Sequence, residues 1–88
     1  MIDSFLKYLQ YEKRVSAHTS LAYKNDLDQF SKFLKDTFDD SAVEAADYGM
    51  VRSWVISLVD LEVQASSVNR KIASLKAFYK FLMRQRVI

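Results

Sequence analysis

The side chains able to do chemistry gather near the end of the chain. Residues 66–88 carry Arg70, Lys71, Lys76, Lys80, Arg84 and Arg86 and no carboxylate. Cations without counter-charges attract a polyanion. Ser66, Ser67 and Asn69 stand at the head of this run. A helix starting there would add free backbone N–H groups and the positive end of its dipole, both suited to phosphate. Asn69 and Arg70, with Ser74 one turn on, are candidates for base edges in a groove about 12 Å wide. Arg70, Lys71, Lys76 and Lys80 are candidates for phosphates. A second, weaker set lies at residues 18–24, where His18, Thr19 and Ser20 precede Lys24. The structural alternative for Ser66 is a plain helix cap, which is compatible with phosphate binding.

Catalytic chemistry fails on inventory. The chain has no cysteine and His18 is its single histidine, so thiol nucleophiles and thiolate or multi-histidine metal sites are excluded. Asp36, Asp39, Asp40, Glu44 and Asp47 lack the glycine that a calcium loop needs at its sixth position. One glycine, Gly49, cannot build a phosphate loop or a dinucleotide fingerprint. No catalytic residue, metal or cofactor is expected in this segment.

These side chains need helices to hold them. Ile2, Phe5, Leu6 and Leu9 form an apolar stripe of helical period over residues 2–14. Ser16 caps a second helix, which runs to residues 35–38 with Tyr23, Leu27, Phe30 and Leu34 in line. Residues 36–46 read as an acidic loop. Asp47 caps a third helix with Val51, Trp54, Val55 and Leu58 on one face, ending near Leu61. Ser66 caps the fourth, which reaches residue 86 and is about 31 Å long. Its expected core stripe is Val68, Ile72, Leu75, Tyr79 and Leu82. Opposite lie Arg70, Ala73, Ser74, Ala77 and Arg84, with Asn69, Lys76 and Lys80 on one flank. Phe81 falls about 140° from the stripe, either inside the bundle or at an interface.

The 88 residues make one domain, burying roughly 60–65% of the unfolded chain's surface. With half the residues apolar and no disulfide, the core alone must hold the fold. The absence of proline and the single glycine exclude a hairpin-rich architecture, leaving an all-helical class. No apolar run reaches the ~20 residues of a membrane span, so a cytoplasmic protein is expected. The formal charge of +2 conceals a strong polarity. Residues 1–38 are nearly neutral, and residues 39–65 carry Arg52 against six carboxylates. All the remaining cations lie beyond them.

The second-helix pattern Ser16, Thr19, Tyr23, Asp26, Leu27 and Phe30 resembles the N-terminal domain of tyrosine recombinases of the phage integrase and Xer group. So does the run Ser66, Asn69, Arg70, Ser74, Leu75, Phe78, Tyr79 and Leu82, and so does Phe5, Leu6, Tyr8 and Leu9 followed by Glu12 and Lys13. The resemblance extends from residue 5 to residue 88 and is weakest over 36–50. It implies an orthogonal four-helix, SAM-like core-binding domain, one half of a clamp on recombination-site DNA. Its second and fourth helices would face the major groove. In that family the nucleophilic tyrosine belongs to a separate C-terminal domain. None of Tyr8, Tyr11, Tyr23, Tyr48 or Tyr79 corresponds to it. The chain stops about where the interdomain linker of such proteins begins, as expected of an excised domain. One family feature is missing: the glycine often found before the last helix, replaced by the stretch from Leu61 to Ala65.

Two functions follow. The first is a non-catalytic DNA-binding domain whose partners are double-stranded DNA, other recombinase protomers in a tetramer, and its own catalytic domain. The second is a protein-interaction bundle docking through Phe81 and the small residues of the fourth helix.

Overall fold

Apolar periodicity resolves into four helices, α1 (Ile2–Tyr11), α2 (Ala17–Phe38), α3 (Tyr48–Asp60) and α4 (Ala65–Arg84). A 3-10 turn, Val43–Ala45, lies in the α2–α3 connection. The computed structural model describes residues 2–39 and 42–85, so Asp40 and Arg86 lie outside the described residues. The described helices pack around one core, in an envelope of 36 × 26 × 16 Å.

Two of the expected caps form. Ser16 Oγ accepts from the Thr19 N–H at 3.1 Å, and an Asp47 carboxylate oxygen accepts from the Met50 N–H at 2.9 Å. The third is corrected. Helix α4 begins at Ala65 after Gln64, which gives no side-chain cap, so Ser66 lies inside the first turn. The cause is the turn before it. The Glu62 N–H bonds to the Val59 carbonyl and the Val63 N–H to the Leu58 carbonyl, closing α3 with a pair of reversed bonds. Gln64 then turns directly into α4. One helix boundary shifts, α1 stopping at Tyr11, short of residue 14; α2 ends at Phe38, inside the expected 35–38, so the acidic loop begins after it and not at residue 36.

Closing α3 this way requires a left-handed residue, and Glu62 takes φ 60°. Arg14, between α1 and α2, and Asp39, after α2, do the same at φ 52° and 55°. Glu62 therefore holds, at a cost in strain, a left-handed position that a glycine would take freely.

Helix α4 crosses α1, α2 and α3, and its buried arc is wide. Val68, Lys71, Ser74, Leu75, Phe78, Phe81 and Leu82 are buried, whereas Ile72 and Tyr79 of the expected stripe are only half-buried. At 100° per residue the arc runs about 140°, from Phe81 round to Val68. Of the two places open to Phe81, the bundle interior is the one it takes, so it is not available as the docking residue of an interface. It is 5% exposed, with its ring centroid 5.5 Å from Phe5 and 5.1 Å from Tyr8. The reason is α1, which lies on the side of α4 away from α3. Phe5 is the centre of that side, with Phe78 at 5.4 Å and Tyr23 at 5.9 Å. On the other side Phe30 packs on Trp54 at 4.9 Å.

Candidate nucleic-acid interface

Asp26 decides which side chains of α4 face outward. It falls on the apolar stripe of α2, three residues after Tyr23 and four before Phe30, and is 0% exposed. Three α4 side chains meet it there. Lys71 Nζ lies 3.0 Å from Oδ1 and also donates to Gln29 Oε1 at 2.6 Å. Ser74 Oγ donates to Oδ2 at 2.7 Å. Arg70 straddles the carboxylate, Nη2 to Oδ1 at 2.8 Å and Nε to Oδ2 at 3.3 Å. This forked geometry gives a strong, oriented pair. Burial alone would push the Asp26 carboxyl up. The hydrogen bonds from Ser74, Arg70 and Lys71, with the Lys71 charge, outweigh it and hold the pKa below the ordinary carboxylate value.

This network removes two candidates from the surface. Lys71 and Ser74 are 6% and 1% exposed. Ser74 therefore cannot reach a base, nor Lys71 a phosphate, without breaking the buried set. The one signal in the sequence is a carboxylate, Asp26, falling on the apolar stripe of α2, where it needs buried polar partners.

Arg70 divides between the two roles. Its fork is tied to Asp26, yet its side chain keeps 53% of its exposure. The other α4 candidates point outward. Ser66, Asn69, Ala73, Lys76, Lys80 and Arg84 are exposed and share one face, while Ser67 is half-buried. Among the described residues, Lys76 and Lys80 have no carboxylate in ion-pair range. The start of α2 lies alongside: His18, Thr19, Ala22 and Tyr23 line a shallow cleft with Arg70 and Ala73. Thr19 is exposed and its Oγ1 accepts from Ser16 Oγ at 2.9 Å, while Ser20 is half-buried. Lys24 is exposed and paired with Asp28 at 2.8 Å, the contact that raises its pKa.

The helix starts complete the electrostatics. Neither α2 nor α4 has an acidic residue in its first turn, and neither is capped by a carboxylate. The start of α3 is different, with its positive end covered by Asp47. The acidic connection packs elsewhere: Tyr79 Oη donates to the Val43 carbonyl at 2.7 Å. Burial, with the nearby Glu44 charge, pushes that phenol up to about 12. Among the described residues no group of His, Asp and Glu could hold a metal ion. Nor is any described helix long and apolar enough to cross a membrane.

Four helices around one core, with a basic outer face on the last, describe a small helical domain with a cation-rich surface. Over residues 2–86 the chain matches the family model described as "Phage integrase, N-terminal SAM-like domain", and it belongs to that family. It is a SAM-like core-binding domain of the tyrosine recombinase type. Among its curated relatives is a protein of Oceanobacillus iheyensis named tyrosine recombinase XerC, 42% identical over 96% of this chain and 27% of the relative. Proteins of the same name from Listeria innocua and Pediococcus pentosaceus are 41% and 34% identical, over 96% and 100% of this chain. The chain spans 28% and 29% of their lengths. No solved structure shows significant similarity to it.

Proposed function

We propose that this domain binds double-stranded DNA as the non-catalytic part of a site-specific tyrosine recombinase, gripping the duplex with the outer face of α4 and the start of α2. One observation carries the reading. Asn69, Lys76 and Lys80 stand exposed on a single helix face, with no paired carboxylate among the described residues, beside a second helix start free of acidic groups. Lys76, Lys80, Lys24 and the outer part of Arg70 would hold phosphates; Thr19, Ser20, Ser66 and Ser67 would add neutral donors. Asn69 is the best-placed reader of base edges. Lys71 and Ser74 act from inside by fixing Arg70 and Asp26. The parent protein would cut and rejoin DNA using a catalytic domain that is no part of this chain.

Salt tests the reading. Four neutralised phosphates predict a slope of about −3.6 in log affinity against log salt, or about 150-fold weaker binding at 200 than at 50 mM salt. Fluorescence anisotropy with a duplex over this range measures it. Affinity independent of salt would overturn the assignment.

A second contact surface is favoured by α3. Tyr48, Ile56 and Val59 are exposed on one of its faces, turned away from buried Trp54 and Leu58. Other protomers of a recombinase assembly are the partners that fit such exposed apolar side chains. Val59→Asp should abolish self-association in sedimentation at high salt, and leave duplex affinity intact.

A further inference from the structure

A cleft of about 300 Å³ opens between α1, the α1–α2 turn and the last turns of α4. Lys13, Lys80 and Arg84 line it, and no carboxylate does. Its floor is aromatic, with Phe5, Tyr8 and Phe81 in mutual contact. Among the described residues none of the three cations is in an ion pair. Arg84 Nη1 instead donates to the neutral Tyr8 hydroxyl at 2.9 Å. That contact orients the guanidinium and leaves its charge uncompensated. The phenolic proton stays available to donate.

Lys13 arrives here by a specific backbone device. Arg14 takes the left-handed φ of 52°, and the Val15 N–H bonds back to the Leu9 carbonyl at 3.1 Å. The chain therefore folds back against the end of α1. Three like charges over a low-dielectric floor repel one another and focus a positive potential into the opening. An anion relieves that repulsion. The space is ample for a small tetrahedral one.

The cleft is continuous with the α4 face. Lys80 belongs to both, and Tyr23 and the small Ala77 join it to the groove beside Arg70 and Ala73. From Arg70 to Arg84 is about 21 Å along the helix, or about six phosphates of one strand at 3.4 Å of axial rise each. We infer that the cleft formed by Lys13, Lys80, Arg84 and the Tyr8 hydroxyl seats one backbone phosphate of the DNA, making the α1–α2 turn a third contact. This rests on the DNA-binding reading above and extends it beyond α2 and α4.

The test uses this chain, a 20-base-pair duplex and inorganic phosphate. The double variant Lys13→Gln, Arg84→Gln alters exposed positions and should keep the wild-type melting temperature. It should lower the magnitude of the salt slope by about 0.9, removing about 3.5-fold of the loss between 50 and 200 mM salt. Lys32→Gln, far along α2, should leave the slope unchanged. Tyr8→Phe should weaken duplex binding without changing the slope. A double variant identical to wild type, while Lys76→Gln weakens binding, would overturn the cleft assignment and leave the domain's DNA binding standing. A wild-type chain that fails to bind the duplex sinks both. Amide shifts at Tyr8 and Phe81 on adding inorganic phosphate, but none on adding duplex, would also overturn DNA as the occupant.

Discussion

Asp26 and Lys71 face each other across the α2–α4 contact with 3.0 Å between Oδ1 and Nζ, their side chains 0% and 8% exposed. Removing one partner of such a pair leaves the other charged and buried, at a cost of about 3–5 kcal/mol. A domain of this size is stabilised by only about 5–10 kcal/mol in total. Asp26→Ala should therefore lower stability by about 3–5 kcal/mol in urea unfolding, while Ser74→Ala, which removes a single hydrogen bond, should cost about 1–2 kcal/mol. The combination should be less than additive, because Ser74 has nothing left to donate to once Asp26 is gone. A double-mutant cycle with additive costs would separate the two residues.

Acid should act through the same carboxylate. Its folded pKa lies below the unfolded value of 3.8. A group lowered in this way contributes stability above the unfolded value and loses it as pH falls through the folded one. Melting temperature should hold between pH 7 and 5 and drop below about pH 4, and the gap between wild type and Asp26→Asn should narrow over the same interval. Tyr79 works at the other end. With its pKa raised from 10.0 to about 12, its contribution is complete below pH 10 and lost as pH rises through 12. Tyr79→Phe should flatten that alkaline limb.

The four helices were legible in the sequence because each has an apolar stripe of period 3.6, and two of the three expected caps formed as read. The misreadings on α4 share one cause. A stripe centred on Val68 takes in Ile72 and Tyr79 and gives the helix a single, narrow buried face. Packing against both α1 and α3 widened that face until it took in Phe81, Lys71 and Ser74. Polar residues on such an arc are invisible to hydropathy. They become legible only when Asp26 is paired with them across 45 and 48 positions of sequence, and no local pattern encodes that. The outward cations Lys76 and Lys80 were easier, since a lone charge on a flank needs no partner to stay exposed.

Phe81 supplies a direct check on that widened arc. Truncating a ring enclosed by Phe5 and Tyr8 removes its transfer energy and leaves a cavity, so Phe81→Ala should cost about 3–5 kcal/mol by denaturant unfolding. Self-association should not change in any concentration range where the variant is folded. A variant of native stability that no longer associates would return Phe81 to an interface.

Glu62 offers the reverse case, a substitution that stabilises. Left-handed backbone costs a residue with a Cβ about 1–2 kcal/mol, which glycine avoids. Glycine returns about 0.5–1 kcal/mol of this by gaining freedom in the unfolded chain. Glu62→Gly should raise stability by about 0.5–1 kcal/mol, and Glu62→Ala, which keeps the strain, should not. Thermal unfolding of the two variants side by side measures the difference.

Arg70 is the residue in which stability and recognition meet, and the two roles separate in one series. Its fork binds Asp26 from the solvent side, while Lys71 and Ser74 still satisfy the carboxylate if Arg70 is lost. Arg70→Ala should therefore cost far less stability than Asp26→Ala. In duplex binding, Arg70→Lys keeps the charge but loses the bidentate clasp, so its ammonium is no longer aimed by Asp26. A phosphate contact tolerates that change, because a point charge suffices. A base contact does not, and its loss should cost about 1–3 kcal/mol and alter sequence preference. With its fork committed to Asp26, Arg70 is expected to act on phosphate: Arg70→Lys should bind within a few-fold of wild type, and Arg70→Ala should weaken all duplexes uniformly. A sequence-dependent loss in Arg70→Lys would show instead that DNA draws the guanidinium away from Asp26 to read a base.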